Sequence, residues 1–379
     1  MIPENIEIIQ RGEANGNGWI IRLPLPSGRE IFGLATENNY GGDWDLGPTW
    51  NYVVRGEGLT LIDTGRFGMG VRLLDMLKRA GLDPGDLTAI TLTHGHEDHD
   101  GGLAELVRET GAPVWVHPLY DRLRRSYPDR APAERSGFSA SCWHCFMPKS
   151  FTDVQCRDYH RERDDLRTNL LTGSDFPPEA GMRLHHLPGH CPDSLAFQIG
   201  EEALIVGDTL LPEITPHPSQ EAFFLGTRPI LVPGLPEPQS VYGLRVYLYS
   251  LKKLQALSRP FPRLIVLPAH RLYYNARWGI IDLESRSREI IAHHRQRGLA
   301  IRVALENGPL DEADIARTLF EAPMLKGFGM RMAVNEVRSH LELLDHCGDV
   351  CRSPDGKAAP TGKTNYDRYF QASESTDNA

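Results

Sequence analysis

The chain has 379 residues, of which 40% are hydrophobic and 24% are charged, and this balance is typical of folded globular proteins. Its formal net charge of −9 gives no general attraction to the phosphates of a nucleic acid. The N-terminal stretch MIPENIEIIQRGEANGNG lacks a basic start followed by an apolar run, and no run approaches the ~18 apolar residues that span a bilayer. We therefore expect a cytoplasmic protein of about two domains, with no membrane contact and with nucleic acid disfavoured as a partner.

In chain order, the first part of the sequence alternates short apolar strands with amphipathic helices. NYVVRGEGLTLIDTG predicts two strands joined by a turn, and GVRLLDMLKRAGLDP predicts a helix in which Leu73, Leu74 and Leu77 share a face before Gly81. LTAITLTHGH predicts a strand that runs into a loop, HDGGLAELVRETG a loop and a helix, and APVWVHP another strand. The alternation indicates an α/β fold.

Further short apolar strands are predicted in MRLHHLPGH, SLAFQIG, EALIVGDTLL and PRLIVLPAH. Three of these four strands lead within a few residues to a His or an Asp. Polar residues at the carboxyl ends of strands are the usual way in which α/β sheets build sites, because the loops there are free to carry chemistry. The sequence therefore predicts a site at one edge of the sheet.

Three other regions break this alternation. Residues 121–180 are rich in Arg, Pro, Ser and Asp without sustained periodicity, which predicts an insertion, and residues 212–240 predict a Pro-rich loop region. Residues 283–351 have helical periodicity and predict a small separate helical domain. Residues 352–379 predict a loose tail.

The densest chemical signal is the stretch TLTHGHEDHDGG. Its side chains with metal-binding atoms follow the pattern H-x-H-x-D-H: His94, His96, Asp98 and His99. Because the run lies in a loop after a strand, all four can converge on one point. Imidazole nitrogens and carboxylate oxygens suit Zn²⁺, and also iron or manganese. A solvated polar loop is the alternative for this motif alone.

Three more polar residues each follow a short apolar strand: His190 in LPGHCPDS, Asp208 in IVGDTLL and His270 in VLPAH. Each alone is weak evidence, but this placement would bring distant segments to the same edge as the H-x-H-x-D-H run. Asp63 in LTLIDTG lies at another strand end. We predict that it orients a ligand or the strand edge and does not bind metal directly.

These residues occur in the order of a known family, and over residues 18–275 the chain resembles a metallo-β-lactamase superfamily hydrolase. The resemblance implies an αββα sandwich, assigned here to residues 1–280, with a binuclear metal site at one edge. It also implies how the seven ligands divide: His94, His96 and His190 at one metal, Asp98, His99 and His270 at the second, and Asp208 between the two. Residues 283–351 resemble the winged-helix appendage of the branch similar to β-lactamase-like protein 2 and glyoxalase II.

The implied metals determine the expected chemistry. Two divalent ions roughly 3.5 to 4 Å apart share a water and lower its pKa towards neutrality, so that a bridging hydroxide can attack a carbonyl. We predict Asp98 and Asp208 as the catalytic carboxylates, with Asp98 carrying a proton to the leaving group. Zinc is the expected metal, with iron or manganese as alternatives.

The expected substrate is a small carbonyl compound. An acyl thioester of CoA or glutathione ranks ahead of a lactone. An RNA phosphodiesterase of the same fold and an iron-dependent sulfur dioxygenase are the alternative functions. They are separable experimentally, because a phosphodiesterase predicts salt-dependent binding and a dioxygenase predicts oxygen consumption.

The sequence departs from the family pattern around the last ligand and in one spacing. The family more often has Gly on each side of that His, whereas this chain has PAHRLYY. Arg271, Tyr273 and Tyr274 are therefore candidates for the substrate pocket, with packing against the appended domain as the alternative. The long gap between His94 and His190 favours the insertion as a lid that determines substrate choice.

The cysteines raise a separate question of metal binding. Two pairs have the spacing of structural zinc ligands: Cys142 with Cys145, and Cys347 with Cys351. Three neighbours could replace one member of such a site: Cys156, His144 and His346. Buried free thiols are the alternative. Cys191, beside His190, is predicted to be part of the pocket wall.

The appended domain leaves one more function open, because a winged helix often reads DNA. Between Glu284 and Asp345, however, Lys and Arg do not outnumber Asp and Glu, and only RSREIIAHHRQR is a basic cluster. A solvated helix with one apolar stripe is the simpler interpretation of that cluster. We therefore expect the domain to shape the entrance of the site or to form a homodimer contact.

Overall fold

The computed structural model describes residues 6–39, 45–125, 153–221 and 237–375, together with residues 223, 227, 231 and 235. The strands in chain order are β1 (Glu7–Gln10), β2 (Ile20–Pro24), β3 (Glu30–Thr36), β4 (Thr49–Arg55), β5 (Leu59–Ile62), β6 (Leu87–Thr91), β7 (Val114–Val116), β8 (Thr168–Leu170), β9 (Met182–His186), β10 (Leu195–Ile199), β11 (Ala203–Gly207), β12 (Ile265–Pro268), β13 (Tyr273–Tyr274), β14 (Arg277–Trp278), β15 (Val350–Arg352) and β16 (Ala358–Pro360). The helices are α1 (Gly70–Arg79), α2 (Glu97–Asp100), α3 (Leu103–Thr110), α4 (Pro118–Arg124), α5 (Asp153–Asp164), α6 (Leu244–Ser258), α7 (Leu283–Ala304), α8 (Glu312–Leu319), α9 (Phe328–Cys347) and α10 (Asn365–Ser375).

Two β-sheets form the centre of the fold. The first contains β1 to β8 in chain order, antiparallel as far as β5 and parallel from there on. The second has the order β12, β11, β10, β9, with only β11 and β12 parallel. Large apolar side chains from both sheets, such as Trp50, Tyr52, Phe197 and Ile205, pack into one buried cluster. The two sheets therefore face each other across a hydrophobic core.

Helices cover both outer faces of this sandwich. On the first sheet, Leu73 and Leu77 of α1 and Leu106 of α3 are fully buried among strand residues. The α1 helix has the predicted extent, and Gly81 follows it with φ of 77°. On the second sheet, α6 and the C-terminal helices share one apolar cluster with strand residues. The predicted αββα sandwich with a C-terminal helical region is confirmed.

The described part of residues 121–180, which were predicted as an insertion, packs into the sandwich. α5 packs against α3 and α4, and β8 pairs with β7 in the first sheet. The side chains that α5 buries include the polar His160 and Arg163 as well as Tyr159. A helix that buries polar side chains has no apolar periodicity for sequence reasoning to detect. Residues 126–152 lie outside the described part of the chain.

The C-terminal helices, which were predicted as a small separate domain, pack on the sandwich. Leu251 of α6, Ile290 of α7 and Leu341 of α9 belong to one continuous buried cluster, so the unit shares its core with the sandwich. Along the chain, α7, α8 and α9 are followed by the β15–β16 hairpin, and Leu310 forms a bridge to Ala358 of β16. This order agrees with a winged helix, and that assignment stays a prediction. None of the described helices is long and apolar enough to cross a membrane.

The tail from residue 352 is not loose as far as residue 375. β16 pairs with β15, and α10 buries Tyr366 and Phe370 in the C-terminal core. The Tyr366 hydroxyl donates to the backbone oxygen of His294 on α7 at 2.8 Å. Composition suggested disorder because the two apolar anchors are separated by polar residues.

Replacing Phe370 with alanine is expected to lower the free energy of unfolding by about 3–5 kcal/mol, because the change leaves a cavity in a closed core. Urea denaturation of the variant measures this loss. Arg368→Ala is the matched control, since Arg368 is exposed on the same helix and should stay within about 0.5 kcal/mol of wild type. A Phe370→Ala variant as stable as the control would show that α10 does not dock in solution.

A buried pair of histidines joins α7 to α9. His294 Nδ1 lies 3.0 Å from His340 Nε2, and His294 Nε2 lies 3.2 Å from Thr215 Oγ1. Both histidines are fully buried. Burial lowers the pKa of His340 to about 4 and holds the pKa of His294 well below its usual value.

This pair predicts a loss of stability in acid. Between pH 6.5 and 4 the unfolded chain binds a proton on His340 that the folded chain does not, so stability rises with pH across this window and is lost as the pH falls. The expected loss is ~3 kcal/mol at pH 4. Urea denaturation at pH 7.5 and pH 4 should show a smaller loss for His340→Gln than for wild type. Equal losses in the two proteins would refute the assignment.

Candidate metal centre

The candidate ligands gather at one edge of the sandwich because the strands that precede them run in the same direction. β11 leads directly to Asp208, and its parallel neighbour β12 leads to His270. On the facing sheet, the parallel strands β5 and β6 lead to Asp63 and His94. Carboxyl ends of parallel strands meet at the same edge. Distant segments of the sequence therefore converge as predicted from their positions.

A glycine permits the close approach of two of these strand ends. Gly207 precedes Asp208 and has φ of 53°. A Cβ atom at this position would lie 2.7 Å from Cβ of Thr93. Only glycine avoids that overlap and adopts the left-handed backbone without strain. The β11 turn therefore brings Asp208 up to the loop that carries His94.

Three imidazoles form one cluster of potential ligands: His94, His96 and His190. Their ligand atoms lie within 4.8 Å of one another. Nε2 of His94 and Nδ1 of His96 are 3.0 Å apart. The rings meet nearly edge to face, so they do not stack on one another. Nitrogen atoms in such a group can bind a common cation.

A second cluster contains Asp98, His99 and His270, again with ligand atoms within 4.8 Å of one another. Asp208 lies between the two clusters. Its Oδ2 is 3.5 Å from Nε2 of His190, and its Oδ1 is 3.4 Å from Nε2 of His270. One carboxylate thus directs one oxygen to each cluster, which is the geometry of a bridging ligand.

Hydrogen bonds fix the orientation of the ligand histidines. Oδ2 of Asp63 accepts from Nδ1 of His99 at 2.9 Å, and its Oδ1 accepts from the amide of Thr93 at 2.7 Å. Nδ1 of His270 donates to the backbone oxygen of Pro48 at 3.1 Å. In both rings the proton is on Nδ1, which leaves Nε2 free to bind a metal. Asp63 thus orients the His99 imidazole.

The three histidines of the first cluster are neutral at neutral pH. Burial lowers the pKa of His94, His96 and His190, in the last case to about 3. A neutral imidazole has a lone pair available for a cation. This cluster can therefore bind a metal without first releasing protons.

The second cluster and Asp208 are held together by opposite charges. Burial favours the neutral carboxyl, but the neighbouring His99 and His270 outweigh it and hold the pKa of Asp98 and of Asp208 below the usual range. Burial likewise lowers the pKa of His99 and His270, but the carboxylates outweigh it and raise both. Two buried carboxylates thus face two imidazoles whose charged form they favour, and divalent cations could supply the positive charge in its place.

Several buried polar atoms of this centre have no hydrogen bond among the described residues: Nε2 of His99, Nε2 of His190, Oδ1 of Asp208 and Nε2 of His270. Buried polar atoms are normally hydrogen-bonded or coordinated to an ion. All four belong to candidate ligands, and nitrogen and carboxylate oxygen are the donors that transition metals prefer. The residues present therefore fit bound metal ions.

A family model described as the metallo-beta-lactamase superfamily matches residues 44–260, which is more than half of the chain. The chain belongs to the metallo-β-lactamase superfamily. The matched range contains six of the seven predicted ligands, and only His270 lies beyond it. The resemblance predicted from the sequence is thus confirmed.

Solved structures show the same metallo-β-lactamase fold. A β-lactamase domain protein from Burkholderia ambifaria is 23% identical, with a TM-score of 0.63 and coverage of 87% of this chain and 92% of that chain. A metallo-β-lactamase family protein from Thermus thermophilus is 23% identical, with a TM-score of 0.59 and coverage of 95% and 100%. At this identity the likeness supports the shared fold alone.

Curated relatives of this superfamily member match over shorter ranges. The hydroxyacylglutathione hydrolase GloC of Haemophilus influenzae is 29% identical over 152 residues, which are 40% of this chain and 60% of the relative. An atrochrysone carboxyl ACP thioesterase of Aspergillus novofumigatus is 29% identical over 175 residues, 45% of this chain and 41% of the relative. A probable metallo-hydrolase of Bacillus subtilis is 33% identical over 92 residues, which are 24% of this chain and 40% of the relative. The chain thus spans about two-fifths of the length of the last two relatives.

A small cavity adjoins the first cluster. Its lining includes Gly95, His96, Tyr120, Cys191, Asp193 and Phe223. Cys191 is buried there, beside His190. Sequence reasoning missed Asp193, whose pKa burial raises to about 6 and whose Oδ1 has no hydrogen bond among the described residues. Its position three residues after His190 was the available signal.

Sequence reasoning also missed the support of the H-x-H-x-D-H loop. The Asp100 carboxylate accepts hydrogen bonds from the hydroxyls of Tyr120 and Tyr159 at 2.9 and 2.6 Å and from Nη1 of Arg163 at 2.9 Å. All four side chains are buried. This network ties the residue after His99 to α5. A charged residue directly after the motif was the only signal for it.

The candidate pocket residues after His270 pack against the N-terminal part of the chain. The Arg271 guanidinium lies 4.8 Å from the ring centre of Tyr274, and the Tyr274 hydroxyl lies 3.4 Å from the backbone oxygen of Asp45. The Tyr273 ring lies 4.2 Å from the Trp19 ring. These contacts do not involve the C-terminal helices, which was the alternative interpretation. A contact with substrate stays a prediction.

The proposed cysteine site is only partly described. Cys142, Cys145 and His144 lie outside the described residues. Cys347 is half-buried and Cys351 is exposed, with its thiol 3.6 Å from the backbone oxygen of Ala359. The possible replacement ligands differ in burial, since Cys156 is fully buried and His346 is exposed. The structural zinc site therefore stays a prediction.

Proposed function

We propose that the protein is a binuclear metal-dependent hydrolase of small carbonyl substrates, with acyl thioesters of CoA or glutathione favoured over lactones. The observation that carries the proposal is Asp208, whose two oxygens face two separate groups of ligand atoms. A carboxylate in that position could hold two cations near each other. Zinc is the proposed metal, since the donors are imidazoles and carboxylates.

The bound metals would supply a Lewis acid and a water of lowered pKa. The side chains of this protein orient the metal ligands. Asp63 and the Pro48 carbonyl hold two imidazoles with Nε2 directed to the site. The Asp98 carboxylate accepts a hydrogen bond from Nδ2 of Asn38 at 2.9 Å, which fixes it at the metal centre. We assign Asp98 the transfer of a proton to the leaving group.

The names of two relatives support a thioester. One is a hydrolase of hydroxyacylglutathione and the other is an acyl carrier protein thioesterase. Both match less than half of this chain at modest identity, so the acyl group and the thiol are part of the proposal. Thioesters also suit the chemistry, because a thiolate is a good leaving group that needs little help from a protein acid.

The test is a parallel assay of zinc-loaded protein on an acyl-CoA, an acyl-glutathione, a lactone and a phosphodiester, with oxygen consumption of iron-loaded protein followed on a persulfide. Thiol release from either thioester, absent after metal removal and restored by zinc, is the expected result. Hydrolysis of the phosphodiester alone would favour the phosphodiesterase. Oxygen uptake with one bound iron would favour the sulfur dioxygenase, and either outcome would overturn the proposal.

A further inference from the structure

Glu342 on α9 is distant from the metal ligands in sequence, yet it caps the segment that lines the cavity beside His96. Its Oε1 accepts hydrogen bonds from Ser219 Oγ at 2.7 Å and from the amide of Glu221 at 3.0 Å, and its Oε2 accepts from the amide of Gln220 at 2.8 Å. The first amides of a helical segment have no acceptor within it. A carboxylate at that end satisfies them and is favoured by the helix dipole.

The capped segment carries Phe223 to the cavity. The Phe223 amide donates to the backbone oxygen of Ser219 at 3.2 Å, so the ring is one helical turn from the cap. The ring stacks on Tyr242 with 3.9 Å between ring centres, and only 5% of the residue is exposed. Phe223 and His96 line the same cavity. The position of this apolar wall therefore depends on where the segment begins.

The electrostatic setting of Glu342 indicates that the cap is its main contact. Burial raises the pKa of Glu342, and the hydrogen bonds from Glu221, Ser219 and Gln220 counteract that effect. The nearby Arg338 forms its charged hydrogen bonds with Glu312 on α8. A half-buried carboxylate is costly unless donors are directed at it. Here the donors come from the segment next to the metal centre.

We propose that Glu342 is a positioning residue that fixes Phe223 and thereby limits the length of the acyl group that the site admits. The inference rests on the proposed function and deepens it, because it names short acyl thioesters as the substrate class. An acyl group whose carbonyl lies at the ligands must extend into adjoining space, and the cavity beside His96 is such space. The C-terminal helices thus determine substrate size through a contact outside the site.

Three variants separate this role from a general loss of stability. Glu342→Gln keeps the size of the side chain but replaces one acceptor oxygen with a donor that opposes the amides. Phe223→Ala removes the wall itself. Glu221→Gln is the matched control in the same segment, because it keeps the amide that donates to Glu342 and removes the charge that pairs with Nη1 of Arg352 at 2.6 Å. The Glu221 side chain of that ion pair is largely exposed, so the pair contributes little to stability.

The measurement is kcat and KM for acetyl to hexanoyl thioesters of one thiol, with metal content checked in each protein. In Glu342→Gln, the ratio of kcat/KM for hexanoyl to that for acetyl should rise roughly tenfold, through KM. Phe223→Ala should give the same rise, and the double variant should add nothing further. Glu221→Gln should keep the wild-type ratio. Equal losses at every acyl length, or additive effects of the two changes, would overturn the inference.

A second readout does not depend on turnover. Calorimetric binding of acetate and hexanoate to the metal-loaded proteins tests the same wall. Glu342→Gln and Phe223→Ala should each bind hexanoate roughly tenfold more tightly relative to acetate than wild type does. If no thioester is hydrolysed but this ratio shifts, the proposed function fails and the role of Glu342 stands. An unchanged binding ratio in both variants overturns the role itself.

Discussion

An Asp208→Asn variant is expected to lose roughly 10³-fold or more in kcat/KM on the preferred thioester. The substitution keeps the size of the side chain but removes the charge that faces both ligand clusters. Metal ions contribute several kcal/mol of stabilisation to a transition state, and each 1.36 kcal/mol is tenfold in rate. A steady-state assay measures the loss, with the exposed Asp86→Asn as the control.

The same variant distinguishes a bridging role from a purely structural one. We expect its far-UV spectrum to match wild type while its metal affinity falls, because Asp208 lies at the end of β11 and not in the core. Activity within tenfold of wild type at saturating zinc would show that Asp208 is dispensable. That result would contradict the two-metal arrangement.

An Asp63→Asn variant is expected to lose roughly 10- to 100-fold in metal affinity or activity. Asp63 accepts hydrogen bonds from Nδ1 of His99 and from the hydroxyl and amide of Thr93. Removing such an orienting partner of a metal-binding histidine typically costs this much. Asparagine can accept through one atom only, so either His99 or Thr93 would face a donor.

The measurement for Asp63→Asn is zinc competition with a chelator, combined with kcat at saturating zinc. A loss that is largely restored by added zinc is the expected pattern, because the His99 ring remains but its tautomer is no longer fixed. A parallel Thr93→Val variant should give a smaller effect, since it leaves the hydrogen bond between Asp63 and His99. An Asp63→Asn protein with wild-type zinc affinity would contradict the orienting role.

The positions of the candidate ligands could be predicted because they obey a local rule. Asp208 and His270 each follow an apolar run that can only be a buried strand, and strand ends of parallel sheets converge. The H-x-H-x-D-H run could be recognised as a candidate metal site from neighbouring residues alone. The place of Asp208 between two clusters was implied only by the family resemblance, because no local pattern shows how close β11 and β6 lie in space.

The elements that sequence reasoning missed bury polar side chains or anchor themselves through few apolar ones. α5 was predicted as part of an insertion because its inward face includes His160 and Arg163, whose burial is stabilised by hydrogen bonds and not by hydrophobic periodicity. The tail was predicted to be loose because Tyr366 and Phe370 are its only large buried anchors among the described residues. The average composition of the tail does not reveal two isolated apolar side chains.

Long-range contacts between polar groups also could not be predicted from the sequence. Glu342 contacts Ser219 across 123 positions, and nothing in either local pattern pairs them. The C-terminal helices were predicted to form a separate domain because their helical periodicity can be recognised without reference to the rest of the chain. Their shared core with α6 appears only once Leu251 and Leu341 are placed in the same cluster.

The proposed function requires that this chain bind two metal ions through Asp208 and the histidines around it. Its most direct test is elemental analysis of protein purified without added metal, beside an Asp208→Ala, His94→Ala double variant. We expect the variant to contain about two equivalents of metal fewer than wild type. Zinc that the variant retains would point to the cysteine site. A single iron in the wild type, or no loss in the variant, would contradict a binuclear metal site at these residues.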